Sequence, residues 1–211
     1  MKEAINLNQN NLHQLPEDVA CPEYNRSELK AGIVHVGVGG FHRSHEACYM
    51  DELLGLGMGT DWGICGVGIR GADGKLRDIL KSQDFLYTLI VKHTDGKIEN
   101  RVIGSLVDFI MGCDDPASVI DKMASPQTRI VSLTITEGGY NVDPATGEFN
   151  FDNPDAKHDL NNPLQPKLVF GYLSSALRKR RDAGIPAFTV QSCDNIQHNG
   201  DLTRKMLLGF V

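Results

Sequence analysis

The sequence predicts an α/β fold built on a doubly wound, mostly parallel sheet. Three observations predict it. Apolar, β-forming runs alternate with segments of helical period. A glycine-rich turn joins the first such run to the first such segment. Turn chemistry in the middle of the chain marks a single β-hairpin insertion. The chain has 211 residues, enough for one large domain. Its 41% hydrophobic and 23% charged content is that of an ordinary globular protein.

The elements follow in order. Residues 1–30 read as an N-terminal arm, either docked or a frayed terminus, ahead of the domain proper, residues 31–211. Residues 32–38 form a buried strand. Residues 41–54 read as one helix, with Ala47, Met50 and Leu54 on a stripe, and the glycine-rich segment 55–59 ends it. Residues 62–69 are a second strand, and a short helix starts near Asp73. Residues 85–91 and 97–103 form the hairpin around Thr94-Asp95-Gly96. Asp115 caps a helix that opens with Pro116 and runs to Ala124. Residues 129–136 are a central strand.

Residues 137–166, rich in Gly, Pro, Asn and Asp, read as one long loop. An amphipathic helix over 166–183 ends in Arg178-Lys179-Arg180-Arg181, cations that suit the C-terminal end of the helix dipole and read as solvated. Residues 188–193 are the last strand, and a helix begins at Gly200. Its apolar pattern reaches Val211 without a stop signal, so the expectation is a chain cut within a longer protein.

Composition narrows the partners. The net charge of -6 gives no attraction to nucleic acid or anionic lipid. No apolar run approaches the roughly 20 residues of a membrane helix. The N-terminus lacks a signal-peptide core. The five cysteines are odd in number and unclustered, which fits reduced thiols and a cytoplasmic location.

Chemistry concentrates at Gly37-Val38-Gly39-Gly40-Phe41-His42-Arg43, between the first strand and the first helix. Gly37 permits a tight turn. Gly39 lets a pyrophosphate approach the backbone, where the helix N-terminus attracts it. His42 stands where the usual pattern has a third glycine. On these residues alone, a dinucleotide turn and an ordinary strand-to-helix turn both stand. Asp73, after the second strand, has the position of an acid that binds the adenosine ribose and repels a 2′-phosphate. It has equally the position of a helix N-cap. Arg70 would attract that phosphate, so NAD is favoured and NADP stays open. His42 and His45 as a metal pair lack a third ligand with motif spacing. Cys193 with His198 as a nucleophile pair competes with simple packing at a strand end.

Taken together, Gly37-Val38-Gly39-Gly40-Phe41-His42-Arg43-Ser44-His45, Asp61-Trp62-Gly63-Ile64-Cys65-Gly66-Val67-Gly68, Thr134-Ile135-Thr136-Glu137-Gly138-Gly139-Tyr140 and Ser192-Cys193-Asp194-Asn195-Ile196-Gln197-His198-Asn199-Gly200 resemble the polyol-specific long-chain dehydrogenases, a family that includes mannitol 2-dehydrogenases and the fructuronate and tagaturonate reductases. The mannitol branch is the nearer likeness.

The resemblance implies a Rossmann-type NAD(P) domain followed by a helical C-terminal domain that this chain lacks. It implies metal-free hydride transfer at C2 of a polyol, mannitol with fructose first, or of a sugar acid such as mannonate with fructuronate. The family's catalytic lysine lies in a Lys-x4-Asn-x2-His arrangement that is not in this sequence, so the chain is expected to be inactive by itself; a non-catalytic NAD(P)-binding module is the alternative. By the same resemblance Asn195 would hold the reacting oxygen, where a fixed donor typically contributes about 10²–10³ in rate. Glu137 would pass protons to that lysine. As plain residues they also read as a turn asparagine and a structural carboxylate. Gly37, Gly39, Gly40, Phe41, His42, Arg43, Arg70 and Asp73 would bind the cofactor. No motif speaks to the oligomeric state.

Overall fold

The computed structural model describes residues 5–211. In chain order its strands and helices are β1 (Val19–Ala20), β2 (Ala31–Val36), α1 (Gly40–Ser44), α2 (Glu46–Gly55), β3 (Gly63–Gly68), α3 (Gly74–Ser82), β4 (Tyr87–Lys92), β5 (Ile98–Ile103), β6 (Leu106–Met111), α4 (Pro116–Ala124), β7 (Ile130–Leu133), α5 (Thr136–Gly139), α6 (Pro154–Asn161), α7 (Val169–Asp182), β8 (Thr189–Ser192) and α8 (Asn199–Phe210). Five strands form a wholly parallel sheet in the order β6-β3-β2-β7-β8. The chain thus winds one way from β2 through β3 to β6, then returns past β2 to β7 and β8. This is the Rossmann arrangement, and its switch point lies between β2 and β7.

Alternation along the strands divides the core. Val34, Val36, Val67, Val131 and Leu133 pack under α4, α7 and α8. Ile33, Ile64 and Phe109 face α2, α3 and the hairpin. Both faces of a parallel sheet need cover, which is why β2 and β3 are buried nearly end to end.

The described part of the N-terminal segment packs on the hairpin. β1 adds to the β4–β5 hairpin as a third strand. Arg26 donates from Nε to the Gly104 carbonyl at 2.9 Å and from a terminal nitrogen to the Leu106 carbonyl at 2.9 Å.

Four local expectations are corrected. The helix over 41–54 is two helices, broken at His45, whose backbone leaves the helical region. A further strand, β6, follows the hairpin after two residues; Asp108 interrupts its apolar run, and the sheet supplies the pairing that the local pattern does not announce. The 137–166 segment is not one loop. It holds the single turn α5 and the helix α6, which Asn153 caps by accepting from Asp155 N. Arg180 is buried rather than solvated, donating to the carbonyls of Met123, Ser125, Thr128 and Pro186.

Candidate cofactor site

The site lies at the C-terminal ends of β2, β3 and β7, around the switch point. Gly37 follows β2 with φ +97, a conformation that L side chains rarely adopt. Its N–H donates to the Val67 carbonyl at 3.0 Å. Its carbonyl points back into the protein, accepting from Thr134 Oγ1 at 2.6 Å and from Gly39 N at 2.7 Å. The Cβ positions of Gly39 and Gly40 are open: nothing lies within 4 Å at Gly40, and only the Gly37 oxygen, 3.8 Å away, at Gly39. Side chains there would fill this space, so the turn forms a cradle.

The cradle opens onto a cleft of about 660 Å³, within the range of small-molecule sites. Gly37, Val38, Gly39, Arg70, Asp73, Gly138 and Gly139 line it together with Asn153, Asp155 and Lys167. Asp73 is packed against Gly68, where a Cβ would come 2.6 Å from the Asp73 Cβ. Asp73 Oδ2 accepts from Arg70 N at 3.1 Å, so it caps its turn and walls the cleft at once. Arg70 is exposed beside it.

The other sequence-derived residues fall elsewhere. Phe41 and His42 line a second, largely apolar cavity of about 510 Å³ with Tyr49, Met50 and Trp62. What these two residues offer the turn is main chain, not side chain. His42 is buried and stacked on His35 with ring centroids 3.6 Å apart, and the bulk at the missing third glycine is accommodated that way. Burial, and then the neighbouring His35, holds the His42 imidazole well below its ordinary pKa. Arg43 donates from Nε back to the Gly39 carbonyl at 3.3 Å, and its own carbonyl accepts from the Tyr87 hydroxyl at 2.5 Å.

Glu137 is exposed on α5 after β7, and Asn195 is exposed on the loop after β8. The residue that joins them is one the sequence reading passed over, Asp194. Its Oδ2 accepts from Ile135 N at 2.9 Å and from the Tyr140 hydroxyl at 2.8 Å, and its Oδ1 accepts from Thr136 N at 3.0 Å. One carboxylate therefore ties the Glu137 loop to the Asn195 loop. An acid beside Asn195 at a strand end was the available signal.

Two rival chemistries are weakened by geometry. Burial, the largest cause, pushes the Cys193 thiol up to about 11, and His198 instead pairs with Asp201 at 3.8 Å. Among the described residues one metal-like cluster occurs, His35, His42 and Glu46. The two imidazole planes are stacked within 14° with centroids 3.6 Å apart, so their in-plane lone pairs lie in separate, nearly parallel planes and do not converge on one ion. Among the described residues, no helix is long and apolar enough to cross a membrane.

The family model described as the mannitol dehydrogenase Rossmann domain matches residues 31–211. A mannitol 2-dehydrogenase of Phaeosphaeria nodorum is 50% identical over 98% of this chain and 36% of its own length. A polyol:NADP oxidoreductase of Gluconobacter oxydans is 48% identical over 95% of this chain and 41% of its own length. A solved ternary complex of Pseudomonas fluorescens mannitol 2-dehydrogenase with NAD and D-mannitol superposes with a TM-score of 0.95 at 53% identity, covering 98% of this chain and 42% of that one. The chain thus spans well under half the length of these relatives. Sequence and fold agree: the chain belongs to the mannitol dehydrogenase family, of which it carries the Rossmann domain.

Proposed function

We propose that this chain is the nucleotide-binding part of an NAD-dependent polyol oxidoreductase, acting between a secondary alcohol at C2 and its ketone, with mannitol and fructose as the first pair. The observation that carries this reading is the glycine turn, open at Gly39, which lines one cleft together with Asp73. Bound there, the nicotinamide supplies hydride transfer. The protein's part is to hold and orient. Backbone N–H groups at the turn would take the diphosphate. Asp73 would accept hydrogen bonds from the adenosine ribose and disfavour a 2′-phosphate. Gly138 and Gly139 would let the cofactor pass close to the chain. Asn195 would donate to the reacting oxygen as its charge develops. Glu137, exposed on α5, would exchange protons with solvent for a base supplied by the rest of the polypeptide.

NADP is the second reading. Arg70 stands exposed in the same cleft, and the Gluconobacter relative is named for NADP. Titrating the protein with each coenzyme decides between them: the expected order is NAD tighter than NADP, and binding of neither removes the proposal. Activity belongs to the full-length polypeptide, assayed for NAD- and NADP-linked oxidation across hexitols, pentitols and aldonates. Turnover of mannonate in preference to mannitol would move the substrate class to sugar acids.

A further inference from the structure

We propose that Glu46 and His35 are positioning residues that aim the Val38 amide into the cofactor cleft; the proposal rests on reading that cleft as the coenzyme site. His35 is the penultimate residue of β2, on the face it shares with Ile33, and is fully buried. An aliphatic side chain there would serve the core without leaving polar atoms to satisfy. Instead the imidazole is held at both nitrogens. Nδ1 lies 2.8 Å from Glu46 Oε2 and 2.8 Å from Ser132 Oγ, and Ser132 Oγ donates to the same carboxylate oxygen at 3.0 Å. Nε2 lies 2.9 Å from Thr134 Oγ1 and 3.2 Å from the Gly37 carbonyl oxygen. Thr134 Oγ1 in turn donates to that carbonyl at 2.6 Å. A continuous set of close polar contacts thus runs from α2, through the first strand, to the peptide group of the turn.

The consequence follows from peptide geometry. The Gly37 carbonyl and the Val38 N–H belong to one planar trans peptide and point in opposite directions. Drawing the carbonyl inward turns the N–H outward. Val38 lines the cleft, and its N–H has no acceptor among the described residues. The clamp therefore presents a fixed, unpaired donor to an anionic oxygen. Neither Glu46 nor the His35 ring lines that cleft, so both act at a distance.

The test uses NAD titration, melting temperature and the 15N resonance of the Val38 amide in the protein and three variants. Thr134→Val keeps the shape and removes the hydroxyl. The expected result is a Kd raised about tenfold, the worth of one well-placed charge-assisted hydrogen bond, with the NAD-induced shift of the Val38 amide lost. Thr134→Ser should return both to near the parent values. Glu46→Gln, whose side chain is partly exposed and nearly isosteric, should raise Kd several-fold and carries the test if Thr134→Val does not fold. If the parent binds NAD and the variants bind it equally well, or only their melting temperatures fall, the clamp is structural and this inference is overturned while the proposed function stands. If the parent binds no coenzyme, the proposed function falls first and takes the inference with it.

Discussion

Gly37 and Thr134 are locked together: a Cβ at Gly37 would overlap the Thr134 carbonyl oxygen and approach its carbon to 2.9 Å. The contact joins the two strands on either side of the switch point. Gly37→Ala meets both this overlap and an unfavourable positive φ. The expected cost is about 2 kcal/mol of stability together with loss of coenzyme binding. Denaturant melts and a titration of the folded fraction measure the two separately. Wild-type affinity in Gly37→Ala would detach the turn from the site.

Asp73 has two duties, and two substitutions separate them. Asp73→Asn keeps a side-chain acceptor for Arg70 N and removes the charge. It should leave the melting temperature nearly unchanged, weaken NAD about tenfold and leave NADP nearly unaffected or improved. Asp73→Ala should add a stability loss of about 1 kcal/mol, the usual worth of a cap. Equal loss of both coenzymes in Asp73→Asn argues against a ribose contact.

Asn195→Ala in the full-length polypeptide should lower kcat by about 10²-fold or more while the coenzyme Kd holds, because a donor to the reacting oxygen acts on the charged transition state. A normal kcat removes Asn195 from the mechanism.

His42 makes stability depend on pH. Burial depresses its pKa in the folded protein, whereas the unfolded chain takes a proton near the ordinary value of 6.5. Below that pH, and down to the depressed folded value, the unfolded state binds one more proton. Stability therefore falls as pH is lowered through this window, by up to about 1.4 kcal/mol per pH unit from this group. Above the window both states are neutral and the contribution vanishes. His42→Phe keeps an aromatic ring against His35 and should flatten the profile of melting temperature between pH 7 and pH 5. An unchanged slope places the titration elsewhere.

Arg180 anchors the β7 side of the sheet to α7 through four backbone carbonyls. Arg180→Met preserves much of the bulk but removes the guanidinium donor from those carbonyls, of which Ser125 O keeps Thr128 N. A loss of about 3 kcal/mol is expected in urea melts, with coenzyme affinity of the folded protein unchanged. Arg180→Ala and Arg178→Ala should differ sharply, since Arg178 is exposed.

The fold was legible where local pattern and tertiary need coincide. The buried runs of β2, β3 and β7, the Asp115–Pro116 helix start and the Thr94-Asp95-Gly96 hairpin all carry their signals within a few residues. β6 was not legible, because Asp108 breaks its pattern and only pairing with β3 makes it a strand. Nor was the break at His45, since the 3.6-residue period passes over it and a backbone departure has no compositional mark. Arg180 lies in a basic run that reads as surface. Its burial depends on carbonyls contributed from 50 or more residues earlier in the chain.

By itself the sequence determined the class of sheet, the position of the glycine turn and the acid that follows the second strand, because each rests on short-range chemistry: φ preference, capping and alternation. Only the tertiary structure decided which candidates share a cleft. It gathered Gly37, Gly39, Arg70 and Asp73, sent the side chains of Phe41 and His42 into another cavity, and brought in Asp194 to join two loops. Such groupings depend on contacts between strands and helices distant in the chain. They are set by packing of the whole sheet, which no local window of sequence contains.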